Sequence, residues 1–209
     1  GPKMAPLPPL KPTADVRIAW SASIPKAGDY SFTPAVVEGV VYAAGAKGTL
    51  SRIEDGKTVW KIDADQPLSA GVGANHKLVV VATPKGEVLA FAADDGKPLW
   101  KAKVSSEVLA SPVVGDDGVV VKSGDNQVFL LDATDGGRKW AYQRATPPLS
   151  VRSAGSPVLA DRYVFVGYPG GKLVALAIQN GAPVWEGTVA LPKGATELDR
   201  VADVVAPPV

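Results

Sequence analysis

The sequence predicts an all-β protein, a β-propeller of four-stranded antiparallel blades, on three observations. The tryptophans stand at Trp20, Trp60, Trp100, Trp140 and Trp185, at spacings of 40, 40, 40 and 45 residues. A fixed period near 40 marks stacked units, none of which buries its apolar face alone. Each of the last four tryptophans follows an Asx-Gly pair, and the same order of apolar runs precedes each pair. No window of 11–18 residues holds a helical period.

The first strand of each unit, A, begins at small residues and a proline: Thr33-Pro34, Ser111-Pro112 and Ser156-Pro157, with Ala70-Gly71 as the aberrant second copy. The B strands are the apolar runs Val40-Val41-Tyr42-Ala43, Leu78-Val79-Val80-Val81, Val119-Val120-Val121 and Tyr163-Val164-Phe165-Val166. The C strands are the alternating runs Leu50–Ile53, Val88–Ala92, Val128–Leu131 and Leu173–Ile178. Asp55-Gly56, Asp95-Gly96, Asp135-Gly136 and Asn180-Gly181 then tolerate the positive φ of a two-residue hairpin, so each joins C to a D strand that carries the tryptophan. Four-stranded units of this length are propeller blades.

Composition excludes several classes. Lys+Arg 22 against Asp+Glu 21 leaves a net charge of +1, with no basic stripe to meet a nucleic acid. No apolar run approaches the roughly 18 residues that span a bilayer. With Cys 0 there is no disulfide and no thiolate metal site. The single histidine, His76, follows Asn75 between an A and a B strand and reads as a solvated turn; one histidine builds no zinc site. Gly170-Gly171 reads as a hairpin turn rather than a phosphate cradle, and no nucleophile elbow occurs. No catalytic, cofactor-binding or metal site is expected. A large indole repeated at one blade position is expected to dock on the neighbouring blade.

Residues 1–12 are expected to form an extended tether, with Gly1-Pro2 the remnant of a cleaved tag, and residues 13–209 a propeller segment. Trp20 closes a D-like strand near 16–22, four blades span roughly 31–187, and a fifth A strand starts near 206–209. An orphan D strand at one end and an orphan A strand at the other suggest a ring cut open, whose unpaired faces would favour self-association of half-rings.

The period breaks in one kind of place. From each tryptophan to the next A start the distance is 14, 11 and 12 residues, then 17 (Trp140 to Pro157) and 23 (Trp185 to Pro208). From Pro112 to Trp140 and from Pro157 to Trp185 it is 28 both times, so the extra length falls entirely in the D-to-A connections. Two lengthened neighbouring loops on a rigid scaffold make a binding patch. The first carries Leu149, Ser150, Val151 and Arg152 behind Pro147-Pro148, two apolar residues and an arginine on a stiffened segment, the makeup of an interface anchor. The second offers Glu197, Asp199 and Asp203 around Arg200; an acid there either pairs with Arg152 or meets a basic group on a partner. Lys85 is expected in the A–B or B–C region of the second blade, away from that patch.

The repeat Ala92-Ala93-Asp94-Asp95-Gly96-Lys97-Pro98-Leu99-Trp100 resembles the pyrroloquinoline-quinone-type propeller repeat. Within that superfamily, Lys3-Met4-Ala5-Pro6-Leu7-Pro8, Pro148-Leu149-Ser150-Val151-Arg152 and Glu197-Leu198-Asp199-Arg200-Val201-Ala202-Asp203 resemble the BamB family of outer-membrane assembly lipoproteins. The resemblance implies the N-terminal half of an eight-bladed, non-enzymatic ring on the periplasmic face of the bacterial outer membrane. It implies an anchor through a lipidated cysteine upstream of the tether, and contact of the two loops with the POTRA repeats of BamA. Leu149, Val151, Arg152 and Asp203 carry that contact by resemblance, and nascent outer-membrane proteins are a further partner. The family often shows a second acid two residues after the last Asp, where this chain has Val205. The alternatives are a quinone-dependent dehydrogenase, which characteristically has a vicinal cysteine pair, and a glycan-binding propeller, which needs exposed aromatics.

Overall fold

The computed structural model describes residues 32–144 and 155–189. Among these residues sixteen strands form four antiparallel sheets of four, each in simple sequence order. The first sheet holds β1 (Ala35–Val37), β2 (Val40–Ala44), β3 (Thr49–Glu54) and β4 (Lys57–Asp63). The second holds β5 (Ala70–Ala74), β6 (Leu78–Ala82), β7 (Glu87–Ala92) and β8 (Pro98–Lys103). The third holds β9 (Val113–Gly115), β10 (Gly118–Lys122), β11 (Gln127–Leu131) and β12 (Arg138–Gln143). The fourth holds β13 (Val158–Ala160), β14 (Tyr163–Tyr168), β15 (Lys172–Ala177) and β16 (Pro183–Thr188). These are four propeller blades with strands A to D as the sequence orders them. The closing strand expected near 16–22, the tether and the start of a fifth blade lie outside the described residues.

The sheets stack face to face, and side-chain alternation divides each between two neighbours. On the second sheet, Val79, Val81, Leu89 and Phe91 pack with Tyr42 and Leu50 of the first. Its other face, Leu78, Val80, Val88 and Ala90, packs with Val119, Val121, Phe129 and Leu131 of the third. The third turns Val120, Val128 and Leu130 to Val164, Val166, Val174 and Leu176 of the fourth. Burial on both faces is why the B strands read as unbroken apolar runs; the outermost strands alternate instead, as in Lys57–Asp63. The outer sides of the end sheets were expected to be exposed. Val41, Ala43 and Ile53 on one, and Phe165, Leu173 and Ala175 on the other, are nonetheless buried.

The Asx-Gly pairs do more than turn the chain. Only Asp55-Gly56 forms the expected two-residue hairpin, with φ of 47° and 75°. In the other three blades the loop is longer. Only the glycine takes positive φ, 75°, 75° and 73° at Gly96, Gly136 and Gly181. The Asx side chain instead accepts the amide two residues on: Lys97 N–H to Asp95 at 3.0 Å, Gly137 N–H to Asp135 at 2.7 Å, Ala182 N–H to Asn180 at 2.9 Å.

Against each of these glycines lies the tryptophan of the preceding sheet. A Cβ on Gly96, Gly136 or Gly181 would come within 3.0, 2.5 or 2.6 Å of the Trp60, Trp100 or Trp140 ring. The indole Nε1–H groups donate into the same loops: Trp60 to the Ala93 carbonyl at 3.0 Å, Trp100 to Ala133 at 2.9 Å, Trp140 to Ile178 at 2.7 Å. One residue before each tryptophan a bulge interrupts the pairing of C with D, leaving Val59, Leu99 and Val184 about half exposed on the rim.

Candidate partner-binding face

Strand direction alternates across each blade, so A–B and C–D turns leave one end of the stack while B–C turns and D–A connections leave the other. Hydrogen bonds tie the second set together. Ala64 and Leu68, in the first D–A connection, donate to Gly48 and Ala46 of a B–C turn at 2.8 and 2.9 Å. In the second, Val104 N–H reaches Gly86 at 2.8 Å, and Gly124 N–H of the third blade's B–C turn reaches Glu107 at 2.7 Å. Ser105 donates to the Asp125 carboxylate at 2.9 Å and Ser106 accepts the Asp125 amide at 3.0 Å. Burial works against the Asp125 carboxylate, but hydrogen bonds from Ser123, Ser105 and Gln127 outweigh it and hold its pKa below the ordinary value.

This geometry corrects one expectation. Lys85 lies in the B–C turn between β6 and β7, so it shares the face of the D–A connections instead of opposing it. The A–B turns are the opposite end; His76 sits there, exposed, 3.5 Å from the Glu38 carboxylate.

The third D–A connection leaves β12 at Arg144 and returns at Gly155, and the fourth leaves β16 at Val189. Leu149, Ser150, Val151, Arg152, Asp199, Arg200 and Asp203 lie outside the described residues, as does Trp20. What the structure does place is the ground from which the third connection rises. Lys122 ends β10 and Tyr168 ends β14, both buried to within 2%. The Lys122 Nζ is 5.7 Å from the Tyr168 ring centre and donates to the Gly167 carbonyl at 3.4 Å. The Arg144 guanidinium lies over the same ring at 5.3 Å and donates to the Glu186 carboxylate on β16. Asn126, in the β10–β11 turn with φ 67°, is buried at the same end of the stack. Burial pushes the Tyr168 phenol far above its ordinary pKa, so its hydroxyl is a proton donor at neutral pH.

The sequence offered no motif for this cluster. Its trace is a polar residue at the last position of an apolar B strand, Val119-Val120-Val121-Lys122 and Val166-Gly167-Tyr168.

At the inner strands a cavity of about 360 Å³ is lined by Thr33, Ala35, Gly73, Ser111, Pro112 and Ser156 among others, none of them charged. Among the described residues no three His, Cys, Asp or Glu side chains stand together to hold a metal ion. No helix among them is long and apolar enough to cross a membrane.

Four stacked four-stranded sheets, clasped by a tryptophan on the glycine turn of the next, define a β-propeller of the pyrroloquinoline-quinone-type repeat class. A family profile described as outer membrane protein assembly factor BamB matches residues 46–209, and the chain belongs to that family. It is 44% identical over 208 residues to the outer membrane protein assembly factor BamB of Bordetella pertussis, covering 99% of this chain and 54% of the relative. To that of Pseudomonas aeruginosa it is 52% identical over 190 residues, covering 88% and 50%. The chain thus spans about half the length of these curated relatives. Among solved structures it is similar to BamB from Moraxella catarrhalis, with TM-score 0.71, 30% identity, 82% of this chain and 53% of that one covered. A quinohemoprotein alcohol dehydrogenase from Comamonas testosteroni shares the fold alone, with TM-score 0.60 and 18% identity over 77% of this chain and 35% of that one.

Proposed function

We propose that this chain is a non-enzymatic scaffold of the outer-membrane β-barrel assembly machinery, docking the POTRA region of BamA through the face that carries its D–A connections. Family membership supports the assembly role. The observation that carries the docking face is structural: B–C turns and D–A connections form one hydrogen-bonded surface, and both lengthened connections depart from it. Leu149, Ser150, Val151 and Arg152 on the third connection and Asp199, Arg200 and Asp203 on the fourth are the proposed contacts. On this reading the protein sits on the periplasmic face of the outer membrane through a lipid anchor, and nascent outer-membrane proteins pass near it. Indoles whose Nε1–H groups are spent on carbonyls of the next sheet support a structural role for Trp60, Trp100 and Trp140 over stacking on a glycan. Trp20 and Trp185 are proposed to dock in the same way.

The chain immobilised on beads is expected to retain purified POTRA domains of BamA from solution, and an unrelated propeller is expected not to. Failure to retain them at tens of micromolar would contradict the reading.

A further inference from the structure

Among the described residues, the buried side-chain atoms that find no hydrogen-bond partner are Asn126 Oδ1, Arg144 Nη1 and Tyr168 OH. Such atoms cost the fold their desolvation without return, and each calls for an explanation. All three lie at one end of the third and fourth blades. Gln127 pairs with Gln143, which sets Asn126 opposite Arg144 at the end of β11 and β12. The Arg144 guanidinium in turn covers the Tyr168 ring at 5.3 Å. Three buried polar groups without partners thus stand at the end of the third and fourth blades from which the D–A connections leave.

Their chemistry names the class of ligand. A guanidinium N–H and a phenol O–H donate, and an asparagine amide offers either N–H or carbonyl. The Lys122 ammonium, 5.7 Å from the same ring, adds positive charge. Glu186 already takes one arm of the Arg144 fork through Nη2 while Nη1 has no partner. A guanidinium fork is built to hold a carboxylate through two parallel hydrogen bonds.

We propose that Arg144, Tyr168 and Asn126 form a recognition site for a carboxylate of a protein partner, an Asp or Glu side chain, with Glu186 as its resident competitor. The orphaned atoms are enclosed, whereas the Glu186 side chain is 52% exposed. Glu186 is the member free to swing away; once it leaves Nη2, the Arg144 and Tyr168 side chains turn outward and the incoming carboxylate takes both arms of the guanidinium and the Tyr168 hydroxyl. The inference rests on the reading that POTRA domains dock on this face.

The test uses the whole chain and purified POTRA domains. Tyr168→Phe deletes a hydroxyl that finds no hydrogen-bond partner among the described residues, so Tm is expected to hold or rise, while POTRA affinity falls about 10-fold or more, the scale of a hydrogen bond to a charged group. Glu186→Gln removes the competing charge and is expected to tighten binding several-fold. A Tyr168→Phe variant that binds like wild type, or that melts lower because the hydroxyl served the fold, overturns the site. If affinity is then still lost in Leu149→Ala/Arg152→Ala, only this site has failed and the docking face stands. A wild-type chain that binds no POTRA domain overturns both.

Discussion

Trp100→Ala is expected to lower the stability of this chain by about 3–5 kcal/mol, the range for truncating a large packed aromatic. The indole does three things at once. Its faces pack against the cluster shared by the second and third sheets. Its Nε1–H satisfies the Ala133 carbonyl at 2.9 Å, and its six-membered ring lies where a Cβ on Gly136 would come within 2.5 Å. Alanine leaves a cavity between blades and a carbonyl without its donor. The equivalent Trp140 is 9% exposed, so the same substitution there acts in the same direction. Equilibrium urea melts measure the loss; a cost below about 1 kcal/mol would show that the blades hold together without the clasp.

Leu149→Ala combined with Arg152→Ala is expected to abolish POTRA binding while the chain still melts cooperatively. Truncated interface anchors cost about 2 kcal/mol or more each, roughly 30-fold in affinity apiece. Both residues stand on the third D–A connection, whose root is fixed by Arg144 on Glu186 and on the Tyr168 ring. Neither substitution touches the strands that pack one blade on the next. Titration calorimetry against POTRA domains reads the result. A double variant that binds like wild type would detach the contact from this loop.

The strands were legible because buried B strands and alternating C and D strands leave different apolar patterns, and because the tryptophans repeat. Val119-Val120-Val121 could be placed from its composition alone; the end of β15 at Ala177 rather than Ile178 is a one-residue fray. What one blade does to the next was only half legible. Gly96, Gly136 and Gly181 were explained by turn geometry, yet each also has to be small because an indole from the preceding sheet rests on it. No local pattern reports that a residue some 40 positions earlier will lie there.

The candidate face shows the same limit. Loop lengths singled out the third and fourth connections, but the face that Lys85 occupies follows only from counting strand directions, and it was misjudged. Lys122, Asn126, Arg144 and Tyr168 were invisible because each is a plausible turn or strand-end residue alone. Their meaning comes from a stack of sheets that brings four separate strand ends together and buries them.

In the proposed docking the partner sits on the end of the stack where D–A connections and B–C turns emerge. Lys172 and Arg162 lie on the same blade at opposite ends of β14 and its turns, both exposed. A six-residue strand separates them by about 17–20 Å. A photo-activated benzoylphenylalanine placed at position 172 is predicted to crosslink to POTRA domains, and the same group at position 162 is predicted to give no crosslink. Crosslinking from 162 with none from 172 would put the partner on the other face and overturn the proposed docking.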